Sequence, residues 1–179
     1  MPKHEIKKAS DLTTQQIRTI LEHWEVDEWI SLTDKQFSDK FKNSEFHLLL
    51  DSKSDMLSVA RINVEFQIRI QNKNYSFPEL VGLVSVIKMN GYGRQLLESI
   101  TTSLRERNIE AIGFCEKELR SFYEKCNIEI LYNQAKQLRE SDNGNWTVPA
   151  DDDILNLTLS NDSKNLLSNL SQDNLGYIV

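Results

Sequence analysis

A turn with two glycines and flanking positive charge is the segment of this chain whose residue types point most clearly to ligand binding. The turn spans residues 88–94 and consists of Lys88, Met89, Asn90, Gly91, Tyr92, Gly93 and Arg94. It follows an apolar, strand-like run over residues 80–87 and precedes an amphipathic helical pattern. Free backbone N–H groups and the helix dipole at such a junction form an anion site, most often for phosphate. Gly91 and Gly93 would let the backbone approach that anion without an intervening Cβ, although glycines at such turns also serve packing alone.

A second segment with a chemically useful residue lies downstream. Residues 111–115 are a predicted buried strand, residues 116–126 a predicted helix, and residues 127–131 another predicted strand. Leu119, Phe122, Tyr123 and Cys126 recur at the spacing of one helix face. Tyr123 is therefore either a core residue or a residue of a ligand site beside that face.

Together the two segments resemble the motifs of the GCN5-related N-acetyltransferases. That family has Arg or Gln, two further residues, Gly, one residue, and Gly or Ala after its fourth strand. The match here runs from Lys88 to Gly93, with lysine at the first position. The family later has Phe-Tyr-Glu-Lys, followed by Gly-Phe. Here Phe122 begins the same tetrapeptide, and Asn127-Ile128 stands in place of Gly-Phe. The resemblance covers about residues 45–131.

The resemblance implies a fold, a cosubstrate and roles for particular residues. The fold is single-domain α/β: a mixed, mostly antiparallel sheet flanked by helices, with two central strands that splay apart. The cosubstrate is acetyl-CoA, without a metal. Its pyrophosphate would bind the backbone at residues 88–94, and its pantetheine arm would pair with Leu83, Val84 and Ser85. Tyr123 would protonate the departing sulfur, because a phenol with a pKa of about 10 stays protonated at neutral pH.

N-acetylation also requires an unprotonated amine. An amine with a lysine-like pKa of about 10.4 is free base in only about one molecule in a thousand at pH 7.4. Glu79 is the candidate base, since it lies on the same predicted strand as Leu83 at an even spacing, which puts both on one face. Glu65 on the preceding strand is the rival, and water could also serve. A solvent-facing glutamate at the strand end is the alternative for Glu79.

The acceptor is predicted to be a small cationic amine. Trp24, Glu28 and Trp29 lie in the connection between the first two predicted helices, which the family's fold uses for the acceptor. Aromatic and carboxylate side chains suit a cation through cation–π contacts and ion pairing, and the aspartates at residues 151–153 could add to them. A solvated acidic loop with two partly buried tryptophans is the alternative. The C-terminal part is also similar to aminoglycoside 2′-N-acetyltransferases in its tryptophan, acidic run and alternating strand.

The predicted elements form one N-acetyltransferase domain over residues 1–160. Residues 12–24 are a helix that Asp11 could cap, and the capping box Thr33-Asp34-Lys35-Gln36 opens a second helix. Residues 62–70 alternate strictly between apolar and polar side chains. A turn at residues 71–74 should pair them with residues 80–87, which lack polar alternation as a strand covered on both faces should. Residues 153–159 are the last predicted strand, and residues 161–179 a tail, docked or partly disordered.

Composition narrows the function classes. The chain has 179 residues and a net charge of −6. Nucleic-acid binding is disfavoured because it usually needs a basic face, and no apolar run suits a membrane span or signal peptide. The protein is therefore predicted to be cytoplasmic, as a monomer or homodimer, with Cys115 and Cys126 as reduced, buried thiols. Two other functions stay open: a non-catalytic acyl-CoA-binding or interaction domain of the same fold, and a protein lysine or N-terminal acetyltransferase.

Overall fold

The computed structural model describes residues 2–140 and 152–179. The strands of these residues are β1 (Lys3–Lys8), β2 (Ser44–Leu50), β3 (Met56–Asn63), β4 (Gln67–Ile70), β5 (Lys73–Ser76), β6 (Glu79–Ser85), β7 (Ile112–Cys115), β8 (Glu129–Leu131), β9 (Leu138–Glu140), β10 (Asp153–Asn156) and β11 (Gly176–Ile178). The α-helices are α1 (Thr14–Trp24), α2 (Asp34–Lys40), α3 (Tyr92–Glu106), α4 (Arg120–Lys125) and α5 (Asn161–Ser168). The fold is therefore mixed α/β, and its strand pairs are mostly antiparallel.

The chain divides into two compact units. The first consists of Met1–Val64 and Leu80–Ile100, and the second of Glu65–Glu79 and Thr101–Val179. Each unit thus draws on two separate stretches of sequence. The first residue of β6 and the last turns of α3 are counted with the second unit.

The first unit has the strand order β1, β2, β3, β6, with antiparallel β1–β2 and β2–β3 pairs. Helices α1 and α2 begin at capping boxes formed by Thr13 with Gln16 and by Thr33 with Gln36. The predicted capping box at Thr33 is thereby confirmed. Both helices place their apolar faces in one core with the inward residues of the strands, since a capped, amphipathic helix is stabilised mainly by such burial. That core contains Ile17, Ile20, Leu21, Phe37, Phe41, Phe46, Leu48 and Val59.

The second unit contains two groups of strands. One has the order β7, β10, β8, and all its pairs are antiparallel. The other has the order β5, β4, β11, β9, in which β11 pairs antiparallel with β4 and parallel with β9. Residues 161–179 supply α5 and β11 to this unit, and Leu167 and Leu170 lie in its core. This core also contains Phe66, Ile68, Ile70, Ile112, Leu138 and Ile154.

The prediction of one strand over residues 62–70 is wrong. Strand β3 ends at Asn63, a turn follows, and β4 begins at Gln67. The hydrogen-bond partners change at this point, because the Val64 N–H donates to Asn43 while the Phe66 carbonyl accepts from Phe77. The apolar and polar residues alternate in sequence across the break, although Val64 in the turn is exposed, and side-chain periodicity carries no information about which strand is the partner.

The predicted hairpin between residues 62–70 and 80–87 is also wrong. The turn after Ile70 leads into β5, which pairs with β4 residue by residue from Gln67 opposite Ser76 to Ile70 opposite Lys73. The residues of β5 are mostly exposed and polar, so no apolar pattern marks them as a strand. Residues 153–159 likewise form a strand only as far as Asn156.

Helix α1 begins at Thr14 and is capped by Thr13 in place of Asp11. Cys115 and Cys126 are both buried and form no disulfide, as predicted. Among the described residues, no helix is both long and apolar enough to cross a bilayer.

Candidate functional site

The glycine turn joins the end of β6 at Ser85 to the start of α3 at Tyr92. Met89 and Gly91 have left-handed backbones with φ of 66° and 72°, and Asn90 Nδ2 donates to the Lys88 carbonyl over 2.9 Å. Within the described chain, the backbone N–H groups of Met89, Gly91, Tyr92 and Gly93 donate to no backbone or side-chain acceptor. A Cβ built on Gly91 would meet no atom within 4 Å. The turn therefore offers a row of free donors with open space in front of Gly91.

The positive charge beside this turn comes mainly from one residue. Lys88 is exposed at its start. Arg94 at its end donates from Nε to Glu98 Oε1 over 2.8 Å, one turn further along α3. Such an exposed i, i+4 pair contributes little to stability, but it offsets the charge that Arg94 presents.

Strand β6 is apolar but only partly covered. Leu80 alone is buried, and the residues from Val81 to Ser85 are half-buried. The prediction of a strand covered on both faces is therefore wrong. An apolar strand that the chain does not bury completely can pair with or pack against a ligand.

Gly82 interrupts this strand with a left-handed backbone, φ 62°. Its carbonyl accepts a hydrogen bond from Trp24 Nε1 over 2.8 Å, and an added Cβ would lie 2.6 Å from that nitrogen. Two positions along, the Val84 carbonyl accepts from Ser58 Oγ over 2.7 Å. Only glycine fits between this backbone and the indole ring. Our sequence interpretation missed the role of Gly82, although a glycine inside an apolar strand is a known signal of a bulge.

The two candidate bases, Glu79 and Glu65, differ in exposure and in position. Glu79 is half-buried at the first position of β6, whereas Glu65 is exposed in the turn between β3 and β4. The even spacing of Glu79 and Leu83 was expected to put both on one face. The left-handed residue Gly82 lies between them, and strict alternation holds only for continuous extended backbone. Their common face therefore does not follow from the spacing.

Tyr123 belongs to the second unit and lies near the middle of α4. It is 7% exposed, and its ring packs edge-on against Phe122 with centroids 5.0 Å apart. Its carbonyl accepts from the N–H groups of Cys126 and Ile128, which closes the helix. Phe122 beside it is 37% exposed, so this end of α4 presents an aromatic surface to solvent.

Trp24 and Trp29 lie together, with ring centroids 5.9 Å apart, and both pack against the aromatic core of the first unit. Lys40 Nζ lies 5.1 Å from the Trp29 centroid, so the chain already makes one cation–π contact there. Glu28, which lies between the two tryptophans in the sequence, is exposed. The two tryptophans are thus in contact with each other, but much of their surface packs against the core of the first unit.

The three aspartates predicted to add to an acceptor site behave differently from one another. Asp151 lies outside the described residues. Asp152 pairs with Lys136 and accepts from the Lys117 N–H. Asp153 is completely buried and pairs with Arg120, so it faces no solvent and cannot contact an acceptor directly. Its negative charge inside the unit requires that partner.

Comparison with family models gave no match, and comparison with curated proteins gave none either. Comparison with solved structures gave matches over most of the chain. The GNAT family N-acetyltransferase YhbS of Escherichia coli, in complex with CoA, has a TM-score of 0.60 at 16% identity, covering 95% of this chain and 86% of that one. This chain has the fold of the GCN5-related N-acetyltransferases.

Two further acetyltransferases have the same fold. A GNAT family acetyltransferase from Staphylococcus aureus has a TM-score of 0.52 at 11% identity, covering 87% of this chain and 100% of that one. The N-acetyltransferase PseH of Campylobacter jejuni has a TM-score of 0.53 at 15% identity, covering 88% and 99%. These low identities show that the fold is shared while most side chains differ.

The backbone conformation at Asn127 explains one departure from the family motif. Asn127 stands where the motif has glycine, and its backbone is left-handed with φ of 58°. Asparagine tolerates this conformation better than other non-glycine residues. Ile128, in place of the motif's phenylalanine, is buried. The left-handed backbone at Asn127 therefore accommodates the missing glycine, and Ile128 fills a buried position.

No group of three or more His, Cys, Asp or Glu residues in the described ranges could hold a metal ion. A cavity of about 520 Å³ in the first unit is lined by residues of β1, the start of α1 and the loop before β3, together with Val86. It contains none of the predicted site residues. The glycine turn is an open surface feature and not part of this cavity.

Proposed function

We propose that this protein is an acetyl-CoA-dependent N-acetyltransferase acting on a primary amine of a small cationic molecule. The observation that carries the proposal is the glycine turn. In an acetyltransferase fold, at the junction of a half-buried apolar strand and a long helix, it offers free N–H groups beside an unobstructed glycine. YhbS, which has this fold, was solved in complex with CoA.

The turn fits the phosphates of acetyl-CoA. The N–H groups of Met89, Gly91, Tyr92 and Gly93 have no acceptor within the described chain, and they lie at the positive end of α3. Lys88 adds a flexible charge. We assign the pyrophosphate to Lys88, Met89, Asn90, Gly91, Tyr92, Gly93 and Arg94, and the pantetheine arm to Leu83, Val84 and Ser85. Acetyl-CoA would supply the activated acetyl group as a thioester.

The chemistry requires two proton movements that this chain's residues would perform. The amine nitrogen attacks the thioester carbonyl carbon, the carbon–sulfur bond breaks, and the amide forms. Tyr123 would donate its phenolic proton to the departing sulfur. Glu79 would accept the proton of the amine, directly or through water, and Glu65 is the less suitable rival because it is exposed in a turn.

The acceptor class follows from charge and aromatic surface. The chain has a net charge of −6, which favours approach of cations. Trp24, Glu28 and Trp29 would contribute cation–π contact and ion pairing. The contact between Lys40 and Trp29 already has this chemistry, and a cationic acceptor would replace the lysine there.

A charge substitution at Gly91 tests the cosubstrate site. Gly91→Asp places a carboxylate where the pyrophosphate is proposed, so acetyl-CoA affinity measured by calorimetry should fall below detection. Gly91→Asn is the matched control, because asparagine has the same shape, tolerates a positive φ and carries no charge. Both variants should fold, since no atom lies within 4 Å of the added Cβ. Equal affinity in the two variants and the wild type would contradict the site.

A further inference from the structure

Helix α4, which carries Tyr123, is too short to fix its own position. It spans only Arg120–Lys125, and no side chain caps its start. Isolated helices of this length are not stable in water, so the position of α4 depends on contacts with other elements. Two such contacts lie on either side of Tyr123 in the sequence, at Arg120 and Glu124.

The first contact is a buried ion pair at the start of α4. Arg120 donates from Nε to Asp153 Oδ2 over 2.5 Å and from Nη2 to Oδ1 over 2.7 Å. Asp153, on β10, also accepts from the backbone N–H of Asn133 over 2.7 Å. Its carboxylate is fully buried, and the guanidinium is 21% exposed. The fork of donors from a guanidinium fixes both distance and orientation, unlike a single point charge.

The second contact joins the two ends of the helix from outside. Tyr132, which follows β8, lies under Arg120, whose Cζ is 5.1 Å from the ring centroid. The Tyr132 hydroxyl donates to Glu124 Oε1 over 2.8 Å. This hydrogen bond to the carboxylate raises the pKa of Tyr132 above its usual value. One side chain therefore contacts the residue three before Tyr123 and the residue after it.

We propose that Arg120, Asp153 and Tyr132 are positioning residues that fix α4, and with it the Tyr123 side chain, in the position that the role of Tyr123 as general acid requires. The proposal rests on the proposed function for the role of Tyr123. The buried carboxylate of Asp153, which the sequence interpretation had placed in an acceptor site, would thus position α4. A buried ion pair is often no more stabilising than apolar residues of similar volume. We therefore attribute the value of the Arg120–Asp153 pair to its fixed geometry and not to its contribution to stability.

A double-mutant cycle tests the proposal. Asp153→Asn should lower kcat by about 10²-fold, the usual effect of a small misplacement near a reacting group, with the KM for acetyl-CoA unchanged. In a Tyr123→Phe background the same change should have almost no effect on kcat, because the residue it positions is gone. Glu129→Gln is the matched control: it removes one carboxylate of the same unit, and that carboxylate pairs with Lys164 and Asn156 and with no residue of α4.

A second variant and a second readout keep the outcome decisive. Tyr132 is half-exposed, so Tyr132→Phe should fold even if Asp153→Asn does not, and its effect on kcat should likewise vanish without Tyr123. The aromatic NMR signals of Tyr123 should move in Asp153→Asn or Tyr132→Phe and stay in place in Glu129→Gln. These signals test the anchoring even if no amine is acetylated, which would refute the proposed function alone. Equal kcat losses with and without Tyr123, or unmoved signals, would overturn the positioning role.

Discussion

Gly82 in the first unit has both a left-handed backbone and a side chain packed directly against it. Its left-handed backbone and the Trp24 indole exclude any Cβ, and the Trp24 Nε1 donor satisfies its carbonyl. A glycine inside a β-strand is otherwise unfavourable, since it loses much conformational freedom and packs no side chain. The contact therefore fixes the shape of β6 just before the residues assigned to the pantetheine arm.

Gly82→Ala should destabilise the protein strongly. The left-handed backbone costs an alanine about 1–2 kcal/mol, and the overlap with Trp24 adds about 1–3 kcal/mol. Urea unfolding should thus show a loss of roughly 2–5 kcal/mol, the sum of those two ranges. Gly91→Ala is the matched control, because Gly91 has a similar φ of 72° and no neighbour within 4 Å. If both alanines cost the same, Trp24 does not restrict Gly82.

Tyr123→Phe tests the general acid. The ring and its packing against Phe122 remain, so folding and acetyl-CoA affinity should be unchanged. Turnover should fall by about 10²–10⁴-fold in kcat and not mainly in KM, because the proton matters only as the sulfur departs. Tyr75→Phe, which removes a phenol on β5, is the control. A kcat for Tyr123→Phe within about threefold of wild type would mean that water donates the proton.

At the residue scale, local signals were predictable and distant pairings were not. The turn at Gly91 and the helix around Tyr123 were predictable from neighbouring residues, because turn glycines and helical spacing are properties of short segments. The pair between Arg120 and Asp153 joins residues far apart in sequence, and nothing in either segment names the other. Asp153 was consequently predicted to add to an acceptor site together with its neighbours, although it is buried.

At the scale of elements, hydrogen bonds to Glu110 stabilise the start of α5. Its carboxylate accepts from the Ser160 N–H over 2.8 Å and from Ser163 Oγ over 2.5 Å. Ser160 is the N-cap of α5, and its side chain accepts from the Ser163 N–H. Burial raises the pKa of Glu110, but the hydrogen bonds from Ser160 and Ser163 outweigh it and leave that pKa below its usual value. The ionised carboxylate is therefore the form that the folded state favours.

Glu110→Gln should reduce stability by about 1 kcal/mol at pH 7, the typical net value of one hydrogen bond. The folded pKa is lower than the unfolded one. The contribution is therefore complete above pH 4.5, the unperturbed value, and is lost as the pH falls through the folded pKa. Denaturation of wild type and variant between pH 7 and pH 3 should show curves that converge in acid. A difference that stays constant with pH would contradict this account. The exposed Glu106→Gln is the control.

Element prediction succeeded where burial follows one period and failed where strands are short or change partners. The two capped helices were recognisable from Thr33, Gln36 and their apolar spacing. Strands β9 and β11 have three residues each, too few for any alternation to register. Strands β3 and β4 keep a common alternation across a turn, so their separation into different units was invisible in sequence.

At the scale of the whole chain, the fold is shared with proteins of very different sequence. Identity to YhbS is 16% although 95% of this chain is covered, so the two chains share a fold while most of their residues differ. Cores tolerate such replacement when volume and polarity pattern are kept. Two motifs in the right order were sufficient to predict the fold. The identity of the acceptor has no comparable signal, because acceptor contacts come from loops that vary most.

Release of CoA from acetyl-CoA in the presence of amines tests the central claim most directly. Purified protein would be mixed with acetyl-CoA and with polyamines, amino sugars, aminoglycosides or lysine peptides, and free thiol followed with a chromogenic reagent. Cys115 and Cys126 are buried and should contribute little signal. We predict amine-dependent release with a small cationic amine preferred to peptides, an acetylated product by mass spectrometry, and loss of release in Tyr123→Phe. Acetyl-CoA binding without release on any amine would instead identify a non-catalytic acyl-CoA-binding protein and contradict the proposed activity.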